Sequence, residues 1–417
     1  MTTLLKDTFQ NFINKLQIEQ NVDLKEFILS MENAFQQSGF RDACNSGEQQ
    51  NILVIRLDAI GDNILNSSFL RELRRNYPSA HITLVVNPTV YNLVELCPYV
   101  NEILRIDYNQ NLIIWFNNAL KLCNEKLWKR QFDICFNPRW DIDYYNANLL
   151  GFLSGAKERI GYSTKVYPNK EQVNAGNDFF LTKMILNPEN IIHETDRNLF
   201  ILKALGLHVQ NNKNEVWYNH EDVLSANELL GNNIEKGRRL ITICNGASRM
   251  AKVYPHELFL KALKLIADKE DVTFVYVGDE KFVEVGNFLK QSLKDKLINL
   301  AGKTSLRVTC AVISKTSMYI GADTCTMHIA ATLQIPAIMI LNEASDCPKD
   351  YRSFYRRFSP YQTPCIIVQP PHALKPCCDL NPRTGCIANT SHCISQIPPN
   401  EIAAAFENLR RITYNSN

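Results

Sequence analysis

Residues 321–336 read GADTCTMHIAATLQIP, and they decide the fold. The preceding Ser317-Met318-Tyr319-Ile320 is apolar enough for a buried strand end. Gly321 and Ala322 keep a turn small, and Asp323 or Thr324 is placed to cap a helix. His328 follows Thr324 by four residues and shares its helix face. Pro336 ends the segment, and Ala337–Leu341 reads as the next strand. The N–H groups of such a helix start, aided by the helix dipole, suit a diphosphate, with Thr324 and Thr326 adding hydroxyl donors. Alone, the same residues also suit an ordinary strand–helix junction.

Alternation of strands and helices extends on both sides. Asn51–Leu57, His81–Val86, Glu102–Ile106 and Phe132–Phe136 read as strands. Helical spacing covers Asp62–Asn76, Thr89–Leu96, Leu112–Arg130 and Tyr144–Leu153. Residues 163–192, rich in Asn, Pro and Lys, read as a long loop before a helix over Glu194–Leu205. A second series begins near Arg239, with strands at Leu240–Cys244, Val272–Val277, Leu297–Leu300 and Met318–Gly321. Two such series in 417 residues predict two doubly wound, Rossmann-like α/β domains with strand-end loops aimed into a cleft. Residues 1–48 are a separate helical piece ending in the linker Asn45-Ser46-Gly47-Glu48. That piece suits packing on the domain or contact with another subunit or partner.

A net charge of +2 gives no bulk electrostatic case for nucleic acid. No apolar run is long enough to predict a transmembrane segment. MTTLLKDTFQNFINKLQ lacks the pattern of a secretory signal, so a cytoplasmic location is expected. Of the 13 cysteines, Cys365, Cys377, Cys378, Cys386 and Cys393 fall in one segment. In a reducing compartment such clustering points to metal before disulfides, here a structural iron or zinc. Neighbouring thiolates rarely serve one small ion well, which makes Cys377 or Cys378 a candidate spectator and Cys365 or His392 a candidate replacement. A loop of reduced thiols is the plainer reading.

Four further strand ends carry polar residues. Arg56-Leu57-Asp58-Ala59-Ile60-Gly61-Asp62-Asn63 runs from an apolar strand straight into a helix and is not GxGxxG. Asp62 suits a general base or a helix N-cap, and Arg56 suits an anion or a pairing with Asp58. In Asn137–Asn146, Trp140 or Tyr144 suits stacking on a pyranose, and Asp141 or Asp143 suits accepting a hydroxyl proton. A polar loop capped by Asp143 is the alternative. In Asn245–Lys252 the small residues, Ser248 included, let backbone approach a ligand, and Lys252 offers a compact cation for phosphate. Gly278-Asp279-Glu280 suits a nucleotide ribose or base, or simply a helix start.

With these pieces in order, the chain resembles the bacterial ADP-heptose heptosyltransferases of glycosyltransferase family 9 over roughly residues 51–410. The opening strand–turn–helix–strand ILVIRLDAIGDNILNSSFLRELRRNYPSAHITLVV is one family-like block. LLGFLSGAKERIGY, HETDRNL, NGASRMAKVYP, NLAGKTSLR and GADTCTMHIAATLQIP are the others, in family order. The resemblance implies a GT-B fold with ADP-sugar held mainly by the second domain. The expected division is an extension over 1–48, an acceptor domain over 49–205, a nucleotide-sugar domain over 206–345, and a cysteine-rich segment with a helix over 346–417. Asp62 matches the acid proposed as base in lipopolysaccharide heptosyltransferases, and Lys252 a basic residue near the donor phosphates. Asp323, Thr324 and His328 match the donor block, with Ser248, Gly278 and Thr326 expected beside them. Cys325 and Thr326 stand where the family often has Gly and Pro.

The subgroup that glycosylates autotransporter adhesins looks closer still. It carries an N-terminal extension, a PRWD-like stretch and a cysteine-bound iron, and here the base shifts toward Asp141. The implied activity is an inverting transfer of heptose from ADP-heptose to serine hydroxyls of a protein, by a homo-oligomer. Any metal on Cys377, Cys378, Cys386 and Cys393 would be structural and outside the transfer reaction. The rivals are transfer to the lipopolysaccharide inner core and a non-catalytic assembly scaffold with a vestigial donor site.

Overall fold

Apolar strand segments buried on both faces build two all-parallel sheets, as expected where helices cover both sides of a sheet. A computed structural model of the chain describes residues 2–18, 23–41, 49–188, 190–231, 239–374 and 390–414. The first sheet holds β1 (Asn51–Arg56), β2 (His81–Val86), β3 (Glu102–Arg105), β4 (Ile134–Asn137), β5 (Glu158–Tyr162) and β6 (Lys183–Ile185), in the order β3-β2-β1-β4-β5-β6. The second holds β7 (Arg239–Cys244), β8 (Val272–Tyr276), β9 (Leu297–Asn299), β10 (Met318–Ala322), β11 (Ala337–Ile340) and β12 (Cys365–Val368), in the order β12-β11-β10-β7-β8-β9. Each sheet is therefore doubly wound in the Rossmann order. The first strand pairs with both the second and the fourth, and the winding reverses at β1/β4 and at β7/β10.

The sheets belong to two units. One runs to Tyr91 and adds Cys97–Ile191 and Asp196–Asn212; the other comprises Asn92–Leu96, Ile192–Thr195 and the chain from Lys213 on. The N-terminal helices Thr2–Ile18 and Leu24–Gln37 pack onto the first unit. Phe9, Phe12, Phe27 and Phe35 join one apolar cluster with Trp115, Phe116 and Phe152. Phe12 stacks on Phe27 at 3.8 Å, and both meet Phe116 edge-on. In the second unit the helix Pro399–Tyr414 buries Ile402, Phe406 and Leu409 in the same core as β7 and β8.

Three expectations change. Residues 163–192 are not a plain loop. They carry the short helix Pro168–Val173, two 3₁₀ turns and the edge strand β6. Only Ile185 of β6 is buried, so three residues gave no readable alternation. The helix expected over 62–76 divides into Ile60–Ile64 and Ser67–Asn76, and Asn198 Nδ2 donates to the Leu65 carbonyl at the break (3.0 Å). Leu112–Arg130 contains a π turn at Cys123–Leu127, beyond which the Trp128 indole N–H reaches the Leu153 carbonyl at 2.8 Å.

Gly321 marks the tightest approach at the second switch point. A Cβ there would lie 2.1 Å from the Cys244 carbonyl oxygen and 2.7 Å from the Tyr319 hydroxyl. Gly321→Ala should destabilise the protein by about 1–3 kcal/mol, since overpacking forces the β7 backbone to move. Urea unfolding measures this, and a variant with the parent midpoint would refute the close β7–β10 approach.

Candidate active site

At β1/β4, two arginines and a buried carboxylate join the strand ends. Arg56 is 1% exposed; its Nε pairs with Asp58 Oδ2 at 2.8 Å, and its Nη1 donates to Asn198 Oδ1 at 3.3 Å. Arg139, from the β4 loop, pairs with the other Asp58 oxygen, and its Nε donates to the Ile142 carbonyl. Asp58 thus compensates two guanidinium groups, and Arg56 is the partner of Asp58. Asp62 lies at the edge of this cluster, 3.7 Å from Arg56 Nη2 and about a quarter exposed.

The aromatic and acidic residues after β4 divide their tasks. Asp143 is a structural cap. Its oxygens accept from the N–H groups of Tyr145, Ala147 and Asn148 and start the helix Ala147–Leu153. Trp140 is buried, stacked on Tyr167 at 4.7 Å, with the Arg197 guanidinium 3.3 Å from the indole centroid. Those two neighbours cannot share one face, so both faces are covered and Trp140 is not a sugar platform. Tyr144 is the exposed ring of the loop. Asp141 is half-buried, and its Oδ1 accepts from the Tyr167 hydroxyl and the Ile142 N–H.

At β7/β10, Lys252 Nζ pairs with Asp323 Oδ2 at 2.6 Å and lies 4.7 Å from the Phe354 ring centroid. Asp323 precedes the helix Cys325–Thr332, whose N-cap is Thr324. The Thr324 side chain makes no capping hydrogen bond, and the N–H groups of Met327 and His328 donate to the Thr324 carbonyl at 3.1 and 3.3 Å. Thr324 Oγ1 instead meets Thr326 Oγ1 at 2.9 Å, and Thr326 meets the Tyr319 hydroxyl at 3.0 Å. The helix dipole and a lysine beside this helix start suit an anion.

His328 is 5% exposed, with Nε2 3.8 Å from Asp323 Oδ1. Among the described residues its Nδ1 has no hydrogen-bond partner. Burial pushes its pKa down to about 4 against the opposing pull of Asp323, so the ring is neutral at pH 7. It can serve a donor as a hydrogen-bonding group but not as a cation. Ser248 is exposed on the loop after β7, which Asn245 anchors through the Tyr254 carbonyl (2.9 Å) and the Tyr276 hydroxyl (3.0 Å). Gly246 is sterically required, since a Cβ would sit 2.7 Å from the Phe282 ring. At Gly278 the nearest atom would be 3.4 Å away, an ordinary contact.

Of the proposed metal ligands, Cys377, Cys378 and Cys386 lie outside the described residues. Cys393 is buried; its Sγ accepts the Leu374 N–H at 3.4 Å and lies 3.6 Å from His392 Nδ1. Cys365 lies in β12, paired with Ala337. Among the described residues no three His, Cys, Asp or Glu side chains converge as a metal site. No helix there is long and apolar enough to cross a membrane.

The family model "Glycosyltransferase family 9 (heptosyltransferase)" matches residues 144–346. Residues 144–346 thus belong to glycosyltransferase family 9. The matched stretch contains Ser248, Lys252, Gly278 and Asp323–His328 and begins beyond Asp62 and Asp141. The chain is 23% identical over 291 residues to the lipopolysaccharide core heptosyltransferase OpsX of Haemophilus influenzae, covering 69% of this chain and 78% of that one. In fold it is similar to a family 9 glycosyltransferase of Veillonella parvula, with a TM-score of 0.66, 20% identity, and 88% and 99% of the two chains covered. It is also similar to ADP-heptose lps heptosyltransferase II of E. coli, with a TM-score of 0.63, 18% identity, and 86% and 98% covered. The expected GT-B class of two Rossmann-like domains is the fold of this enzyme.

Tyr167, Lys170 and Arg197 escaped the sequence reading. Tyr167 and Lys170 lie in the stretch read as loop, where no periodicity marked them. Arg197 sits in the family-like HETDRNL block, but nothing local ties it to an indole.

The state of His328 has a measurable consequence. The unfolded chain binds its proton below pH 6.5 and the folded chain only below about 4. Stability from this group should therefore fall as pH drops through that interval, by up to about 3 kcal/mol. His328→Gln should flatten the decline in urea midpoint over the same window. An unchanged slope would show that His328 already carries the proton in the fold.

Proposed function

We propose that the protein transfers heptose from ADP-heptose to serine hydroxyls of a protein acceptor in the cytoplasm, with inversion at C1. The observation that carries the donor half is Lys252 beside Asp323 at the start of Cys325–Thr332. As the bond from C1 to the diphosphate breaks, negative charge grows on the departing ADP. A lysine and a helix N-terminus stabilise that charge, which is where fixed electrostatics lowers a barrier most. Ser248 and Gly278, on the loops after β7 and β8, serve the rest of the nucleotide in this reading, with Thr324 and Thr326 shaping the turn. Asp141 takes the proton of the serine hydroxyl as its oxygen attacks C1. Asp62, tied at long range to Arg56, is the second candidate for that role.

The protein acceptor rests on three features of the adhesin subgroup: the N-terminal extension, Pro138–Asp141 and the cysteine segment. The extension here is part of the core of the first unit. The cysteine segment belongs to the same proposal, as the holder of a structural iron or zinc on Cys377, Cys378, Cys386 and Cys393. Cys393 is buried, with the Leu374 N–H donating to its sulfur. The metal would brace this segment, and no step of the transfer passes through it. The second reading, a lipopolysaccharide core acceptor, is favoured by what the Haemophilus relative is named for.

Incubation with ADP-heptose and either an adhesin passenger fragment or a truncated lipid acceptor decides the acceptor. Heptose on the fragment is expected, and transfer to lipid alone would overturn the protein reading. Asp141→Asn should lower kcat by about 10²–10⁴ with folding intact. Lys252→Ala should raise the KM for ADP-heptose and lower kcat as well. Full activity in an Asp62→Ala, Asp141→Ala double variant would refute both candidate bases, and undiminished protein glycosylation by that variant in cells would point to the scaffold. Elemental analysis of the purified protein should find about one iron or zinc per chain, and none would refute the metal.

A further inference from the structure

The helix Pro168–Val173 and its flanking residues grip the loop that carries Asp141 at three consecutive points. Tyr167, just before the helix, lays its ring on Trp140 and donates its hydroxyl proton to Asp141 Oδ1. Lys170, within the helix, is 2% exposed and donates from Nζ to the carbonyls of Trp140 (2.9 Å) and Tyr162 (3.2 Å). The Trp140 carbonyl belongs to the peptide unit whose nitrogen is that of Asp141. Asn174, at the end of the helix, accepts the Asp143 N–H at 2.7 Å and donates to the Asp143 carbonyl at 3.1 Å. The Arg197 guanidinium closes the remaining face of Trp140.

We propose that Tyr167 and Lys170 are positioning residues of the transfer reaction, holding the side chain and the main chain of Asp141 in the orientation that accepts the acceptor proton. The inference rests on the reading of Asp141 as base. A carboxylate swings about two torsions, and a base must lie within hydrogen-bond reach of the proton it takes. The Tyr167 hydroxyl fixes the direction of that carboxylate by donating to Oδ1. It also favours the ionised carboxylate and so keeps the base available at lower pH. Lys170 prevents the peptide from flipping.

A buried amine is an expensive way to hold two carbonyls, and an apolar residue would serve packing alone at lower cost. Asp141, Asp143, Asp178 and Arg139 are the charged groups around it, and burial brings its pKa down to about 7. The cost is intelligible if the carbonyl it holds must stay fixed.

Tyr167→Phe tests this cleanly, because the ring and its stacking on Trp140 survive. The expected result is about a tenfold fall in kcat at neutral pH, with the KM for ADP-heptose unchanged. The acid limb of the kcat profile should move up by about one pH unit as the carboxylate loses its donor. In an Asp141→Asn background the same substitution should cost nothing further, since both act through one group. Lys170→Met should lower kcat without changing the donor KM. Should that variant fail to fold, Tyr167→Phe still decides. An inactive Asp141→Asn beside a Tyr167→Phe enzyme with parental kcat and acid limb would overturn the positioning role and leave the base assignment intact. A fully active Asp141→Asn would sink the base assignment, and this inference with it.

Discussion

Parallel pairing of a first strand with a fourth is the constraint on which the rest of this molecule depends. β1 lies between β2 and β4, and β7 between β8 and β10. Parallel strands need long crossovers, and right-handed crossovers cover one sheet face until the winding reverses. At the reversal the neighbouring helices diverge and leave the strand ends open. The four loops nearest those reversals, with the helix starts that follow, hold Asp58 and Asp62, Arg139 and Asp141, Lys252, and Asp323 with His328. Elsewhere the inner strands are buried and offer packing, and the edge strands β3, β6 and β12 are partly exposed.

The two switch points use charge differently. In the first unit Arg56, Asp58 and Arg139 form a closed, buried cluster that binds the β1 turn to the β4 loop. Removing one member would strand an uncompensated charge, so this cluster is architecture. Asp62 at its rim is about a quarter exposed, and Asp141 is half-buried; these are the two candidate bases. In the second unit Lys252 and Asp323 also pair, but at a helix start that the Thr324 side chain does not cap. The pair holds the lysine in place while the helix end keeps its capacity for an anion.

Much of this was legible locally. Runs such as ILVIR and LITIC announce buried strands, and each is followed by small or acidic residues at a turn. The departures have identifiable causes. Asp141 and Asp143 are chemically alike and two residues apart, yet Asp143 caps a helix and Asp141 faces Tyr167. Trp140 carried the look of a sugar-stacking residue, but Tyr167 and Arg197 reach it from 27 and 57 positions further along the chain. β6 is too short and too exposed for alternation to show.

By itself the sequence determined the two parallel sheets, the glycine-bearing turns and the residue types available at their ends, because periodicity and turn chemistry act between near neighbours. Tertiary structure decided which of those residues are free to act. It spent Asp58 and Asp143 on structure and covered both faces of Trp140. It buried His328 as a neutral ring and placed Lys170 behind the peptide of Asp141. Each of those outcomes depends on desolvation or on a partner distant in sequence, and neither is written in the local pattern.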